Sequence, residues 1–266
     1  MSEGDTDHAV ISEDDGVITV TINRPDKLGA ISPAVTGTLW QAVEQLGDRP
    51  DLRVMVITGT GRYFSAGLDL KLGHGGRVPG PEATGFDYRR GYRSHHLLYD
   101  EIEAIEKPVI LAANGPCIGA GMEMALSCDF RFCTPEAHWG LPEIRSMGAI
   151  PGSGGVSRLT RLTGAHWAKW IALAGQNVSA EDARMIGLVH DIHPADELGD
   201  RVRAFAQELM SLDPEAVALA KLTIDMVDPQ DAQTARNIER IANTDLTHRG
   251  SARPADGYTG PRREQI

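Results

Sequence analysis

Asn114-Gly115-Pro116-Cys117-Ile118-Gly119-Ala120-Gly121-Met122-Glu123 follows at once on the apolar run Val109–Ala113, and this junction decides the fold. A short buried strand ends in small residues and turns into a helix with a carboxylate in its first turn. Such a junction leaves several backbone N–H groups unpaired, and only glycine and alanine let a negative oxygen approach them closely. A similar junction lies upstream, where Val54–Thr58 runs into Gly59-Thr60-Gly61-Arg62-Tyr63-Phe64-Ser65-Ala66-Gly67-Leu68-Asp69. A second carboxylate stands twenty residues past Glu123, in Trp139-Gly140-Leu141-Pro142-Glu143.

Outward from these junctions, Val17–Ile22 is rich in β-branched residues and reads as a strand closed by Asn23-Arg24-Pro25. Ser32-Pro33 offers an N-cap and a proline at the first helical position, and Val35, Leu39, Val43 and Leu46 share one helical face. Residues 1–15 read as a frayed start, and 71–92, rich in glycine, proline and charge, as a mobile excursion. A helix with apolar positions at Leu97, Leu98, Ile102 and Ile105 follows, stopped by Lys107-Pro108. Met122–Ser127 continues as a helix, Asp129–Cys133 as a strand, and Ser179–Asp182 is a capping box. Strand–loop–helix units recurring at about 50-residue spacing suit stacked ββα or βαβ turns around one core. That core is expected over 1–195, with a helical region over 196–266 built on patterns at 196–212 and 214–245 and closed by an aperiodic tail.

A net charge of −11 over 266 residues argues against a nucleic-acid backbone as partner, while leaving room for a local basic patch toward a phosphorylated small molecule. No apolar run approaches the roughly 18 residues that cross a bilayer, and the polar, acidic start is unlike a secretory leader. Cys117, Cys128 and Cys133 form no CxxC or Cys/His array, which points to a reduced, cytoplasmic setting and to no metal. Dinucleotide GxGxxG and GxxxxGK[ST] patterns are absent, and Ser65, Ser146 and Ser153 have no GxSxG elbow. His95-His96 lacks a third ligand and reads as surface, His138 as a strand face, Asp129 as structural and Cys117 as a buried small residue.

Two N–H groups aimed at one oxygen stabilise an enolate or a tetrahedral oxyanion, each contributing about 3–4 kcal/mol. Read from pattern alone, both glycine turns are more often tight turns packed on neighbours. Glu123 alone reads equally as a helix-terminus carboxylate favoured by the macrodipole, and Glu143 as a solvated loop residue. Were both to enter one apolar cleft, burial would raise their pKa values and let them divide acid and base roles.

Over roughly residues 15–195 the chain resembles the crotonase superfamily, also called the enoyl-CoA hydratase/isomerase family. The segments that carry the likeness are Asn23–Lys27, Phe64–Asp69, Lys107–Ile110, Asn114-Gly115, Gly119–Glu123, Cys128-Asp129, Gly140–Glu143 and Ile150–Gly155. The resemblance implies an α/β fold, a crotonase-like spiral of ββα turns, with a C-terminal helical region that assembles a homotrimer or a dimer of trimers. It implies an acyl-CoA thioester as substrate, no cofactor, and a place in fatty acid metabolism. The thioester oxygen would lie on the N–H groups of Leu68 and Ala120. Glu123 would be the base toward a water that adds to C3 of a trans-2-enoyl-CoA, and Glu143 the proton donor to C2. CoA would run past Lys27–Ala30 and Ala66, with Asp69 close to that loop.

A double-bond isomerase, which manages with one carboxylate, another crotonase-type reaction, and a non-catalytic CoA-binding protein are the rivals. The chain departs from the family pattern at Gly29, where an asparagine is usual and a looser CoA-side loop is expected. It departs again over Ile144–Ile150, one residue longer than the pattern, which is expected to reshape the acyl pocket behind Glu143. The 71–92 stretch is somewhat long, and the tail after Thr247 lacks the usual family ending.

Overall fold

The computed structural model describes residues 7–73 and 84–249. β1 (Ala9–Asp14) and β2 (Val17–Ile22) form a hairpin, followed by α1 (Pro33–Asp48) and β3 (Val54–Gly59). Then come α2 (Gly85–Ala104), β4 (Val109–Ala113), β5 (Cys117–Ile118), α3 (Ala120–Ala125), β6 (Phe130–Cys133) and β7 (His138–Gly140). α4 (Glu143–Met147) and α5 (Gly155–Ala168) lead into a π-helical turn, Lys169–Leu173, and then β8 (Val178–Ser179), α6 (Ala180–Met185) and β9 (Asp191–Ile192). α7 (Leu198–Met210), α8 (Pro214–Val227) and α9 (Ala232–Arg249) close the described chain.

The main sheet has six strands in the order β1-β2-β3-β4-β6-β9, all parallel except β1. A smaller sheet runs β5-β7-β8. Parallel strands covered on both faces should be apolar throughout, and β4 is buried at every position. Met55 and Ile57 of β3 and Val109, Leu111 and Ala113 of β4 pack with Val35, Leu39, Val43 and Leu46 of α1. Val54, Val56, Ile110 and Ala112 point the other way, onto Leu198, Val202 and Ala206 of α7. The helical face read for α1 is therefore the one that covers the sheet, and its N-cap forms as expected, with Ser32 Oγ accepting the Val35 N–H at 3.3 Å.

Several elements differ from the sequence reading. Residues 9–14 are not frayed but pair antiparallel with β2, from Ala9 against Ile22 to Asp14 against Val17. Asp15 (φ 44°) and Gly16 (φ 78°) make the turn, a two-residue Asp-Gly hairpin with both angles positive. α2 starts at Gly85, inside the expected 71–92 excursion, because Thr84 and Asp87 form a capping box; residues 74–83 lie outside the described residues. Leu97, placed on the buried face with Leu98 and Ile102, is 47% exposed, and Tyr99 takes the inward position instead. His95 is not a surface residue; it is 2% exposed and sits 3.4 Å from Thr36 Oγ1.

The chain divides into two compact units, Met1–Met210 and Ser211–Ile266. α7, grouped from its sequence with the helical region from residue 196, is packed on the sheet of the first unit. In the second unit α8 and α9 pack against each other. The continuous pattern read over 214–245 is broken at Asp228–Asp231, where Asp228 is still helical but Pro229 has no N–H with which to continue the helix. Asp231 then accepts the N–H groups of Gln233 and Thr234 to start α9.

Candidate active site

The two glycine turns are stitched side by side. Phe64 and Ser65 N–H both donate to Pro116 O at 3.1 Å, and Ile118 N–H donates to Ser65 O at 2.9 Å. Leu68 forms a parallel bridge with Ile31, in which Ile31 N–H donates to Gly67 O and Ile31 O accepts from Asp69 N–H. That pattern spends the groups on either side of Leu68 and turns its own N–H away from the bridge. Ser65 Oγ takes the neighbouring Gly67 N–H at 3.1 Å. On the other turn, Gly119 N–H donates to Gly140 O at 2.9 Å, and Ala120 is the first residue of α3. The N–H groups of Leu68 and Ala120 find no acceptor among the described residues.

Gly67 and Gly119 make the close approach between the turns possible. A Cβ on Gly67 (φ 99°) would lie 3.4 Å from Ala120 N and 3.6 Å from Gly119 Cα. Gly119 has φ 57° and ψ −130°, a region essentially closed to residues with a side chain. A Cβ there would sit 3.1 Å from Glu143 Oε1. One spot in the fold therefore brings together Leu68 N–H, Ala120 N–H and the Glu143 carboxyl, contributed by three separate chain segments.

Glu143 opens α4 rather than lying in a solvated loop, and is 8% exposed. Its Oε2 is buried without a hydrogen-bond partner among the described residues. Burial pushes its carboxyl up to about 7; its own backbone N–H opposes the rise and the charge of Glu123 adds to it. Glu123 is 4% exposed, and its Oε1 accepts Ser153 N–H at 2.7 Å and Gly155 N–H at 3.3 Å. Burial raises this carboxyl too, while the two N–H donors and the Arg158 charge work to keep it ionised. The two glutamates thus have different settings: one held by donors that favour its anion, the other with a free oxygen and a pKa near neutrality.

The residues expected along CoA share one seam. Lys27 ends the short 3-10 turn Pro25–Lys27 and is exposed, as is Ala66. Ala66 N–H donates to Leu28 O at 2.8 Å and Ala30 N–H to Lys27 O at 3.0 Å. Arg24 Nη1 joins Ala30 O at 2.7 Å to Asp69 Oδ2 at 2.9 Å. Burial would raise the Asp69 carboxyl, but Arg24 and the N–H groups of Leu72 and Lys71 outweigh it and hold it low. Asp69 is thereby engaged within the protein. Gly29 does not loosen the loop: with φ 65° it lies directly on the Phe64 carbonyl, where any Cβ would collide. The longer Ile144–Ile150 segment is absorbed as a turn of α4 closed by Gly148 at φ 64°, leaving Met147 and Ile150 exposed.

Tyr99 and Arg158 belong to the site and were not singled out from sequence. The buried Tyr99 hydroxyl donates to Ala120 O at 3.1 Å. Arg158 follows the Pro151–Gly155 motif by three residues, a spacing that places it back over the turn, which was the available signal. Among the described residues no group of three or more His, Cys, Asp or Glu side chains gathers as a metal site, and no helix is long and apolar enough to cross a membrane.

The scaffold gathers two unpaired N–H groups and two buried carboxyls, and comparison with known proteins gives its family. The profile of the Enoyl-CoA hydratase/isomerase family matches residues 12–260. The chain is 33% identical to the short-chain-enoyl-CoA hydratase of Clostridium acetobutylicum over 235 residues, 88% of this chain and 87% of that protein. It is 36% identical to the carnitinyl-CoA dehydratase of Salmonella enteritidis over 207 residues, 77% of this chain and 75% of that protein. The crystal structure of an enoyl-CoA hydratase from Bacillus anthracis superposes with a TM-score of 0.83 at 30% identity, covering 91% of each chain. The protein belongs to the enoyl-CoA hydratase/isomerase family of the crotonase superfamily, and its α/β architecture is that family's spiral with a C-terminal helical region.

Proposed function

We propose that this protein is an enoyl-CoA hydratase, adding water reversibly to a trans-2-enoyl-CoA to give the 3-hydroxyacyl-CoA. The observation that carries the reading is the pairing of two buried carboxyls, Glu123 and Glu143, with the unpaired N–H groups of Leu68 and Ala120. The thioester oxygen accepts from these two N–H groups, which stabilise the enolate as it forms. Glu123, its Oε1 already held by two donors, takes a proton from water as the oxygen adds to C3. Glu143, with a pKa of about 7 and an uncommitted Oε2, delivers a proton to C2. CoA lies along Lys27, Ala30 and Ala66, with Asp69 bracing that seam through Arg24.

The likeness to a carnitinyl-CoA dehydratase favours the same chemistry in either direction, since dehydration is the reverse of this addition. A double-bond isomerase has less support, because it has no use for a second carboxyl set beside the first. We assign the second unit, Ser211–Ile266, to assembly into a homotrimer or a dimer of trimers, in keeping with its exposed apolar residues Ile224 and Ile241. A panel of 2-enoyl-, 3-enoyl- and 3-hydroxyacyl-CoA thioesters of different chain lengths, with the products identified by mass, tests the reaction. Conversion of 3-enoyl thioesters alone would overturn it.

A further inference from the structure

Glu123 is held by a turn, and the turn itself must be held. Arg158 stands on α5, is 4% exposed, and carries a charge that has to be paired where it lies. Its Nη2 meets Asp100 at 2.7 Å and Glu103 at 2.6 Å, and its Nε meets Glu103 at 2.9 Å, both partners on α2. The remaining Nη1 reaches into the 153–155 turn and donates to Ser153 O at 3.2 Å. That carbonyl lies between the two N–H groups that bind Glu123 Oε1. Gly154 has φ 88°, and a Cβ there would collide with Arg158 Nη1. The turn is thus shaped around the guanidinium.

We propose that Arg158 is a positioning residue for Glu123: it grips the Ser153 carbonyl and so aims the Ser153 and Gly155 N–H groups at the Glu123 carboxylate. The chain of contacts runs from the acidic pair on α2, through Arg158, through the turn, to Oε1 of the glutamate. Among the described residues, the charged and titratable groups that act on Glu123 are Tyr99 from α2, Glu143 from α4 and Arg158 from α5. Of these only Arg158 is cationic, so it also opposes the rise that burial imposes on Glu123. Lysine would keep the charge without the fork that serves Ser153 and the acids together; glutamine would lose both.

The inference rests on Glu123 as the base of the proposed reaction, and its test reads the carboxyl directly. Carbon-13 NMR of the resting protein, with the Glu123 resonance assigned by Glu123→Gln, follows its titration in wild type, Arg158→Gln and Arg158→Lys. Arg158→Gln is expected to raise the Glu123 titration by about one pH unit or more. The acid limb of kcat should follow by the same amount, with kcat at pH 7 down about tenfold or more and KM for the thioester little changed. Arg158→Lys should titrate close to wild type yet show a reduced kcat and faster amide exchange at Ser153 and Gly155. An unmoved Glu123 titration in folded Arg158→Gln would overturn the proposal. If that variant does not fold, unaltered kcat and amide exchange in Arg158→Lys overturn it instead. Should the wild type fail to hydrate while the titration still moves, the hydratase reading falls and the positioning role stands.

Discussion

Gly119 and Glu143 meet in the folded chain: the place a Cβ would occupy on Gly119 is 3.1 Å from Glu143 Oε1. A glycine needed for its backbone angles is also the residue that leaves room for an acid. Gly119→Ala would therefore strain the turn and displace both the Ala120 N–H and the Glu143 carboxyl. It should lower kcat by about 10²–10³, the range found for loss of an oxyanion donor. Steady-state kinetics together with a thermal melt will separate lost aim from lost fold, since a folded variant with full kcat would contradict the assignment.

Glu143 gives the protein a pH signature. Its ordinary pKa is 4.5 and in the fold it is about 7, so the folded state binds the proton more tightly than the unfolded chain. Stability contributed by the neutral form is complete below about pH 4.5 and is lost as pH rises to about 7. Glu143→Gln should thus be more stable than wild type at pH 8, by about 1–3 kcal/mol, and equal to it at pH 4. Urea unfolding at the two pH values checks this. In the proposed hydration Glu143 gives up a proton, so turnover should decline as pH rises through about 7, and kcat/KM against pH reads that limb.

Tyr99 supports the other donor. Its hydroxyl donates to the Ala120 carbonyl in a fully buried setting, so Tyr99→Phe takes one donor from the carbonyl that opens α3. A loss of about 0.5–1.5 kcal/mol in unfolding free energy is expected, with kcat lowered and KM little changed. Equal stability of the two proteins would show that the bond contributes nothing.

Much of this was legible in the chain. The strands at 17–22, 54–58 and 109–113 carried continuous or alternating apolar residues, and the glycine turns after the last two marked where the unpaired Leu68 and Ala120 N–H groups lie. The Asp15-Gly16 turn was also legible, and its two strands flank it with matching register, yet the acidic residues of β1 masked the pattern as a polar terminus. His95 and the 228–231 break were missed because burial of a histidine and the effect of one proline depend on neighbours that a helical period does not reveal. Arg158 was hidden for a different reason. Its meaning lies in partners 55 and 58 residues upstream, which only the fold brings within reach.

Glu123 and Glu143 are proposed to act together in adding water across a 2-enoyl thioester. Turnover in oxygen-18 water, with mass analysis of the product, tests this most directly. One labelled oxygen should appear at C3 of the 3-hydroxyacyl-CoA with wild type, and at rates lowered by about 10²–10⁴ with Glu123→Gln or Glu143→Gln. Product that carries no label, or undiminished labelling in either variant, would contradict the account.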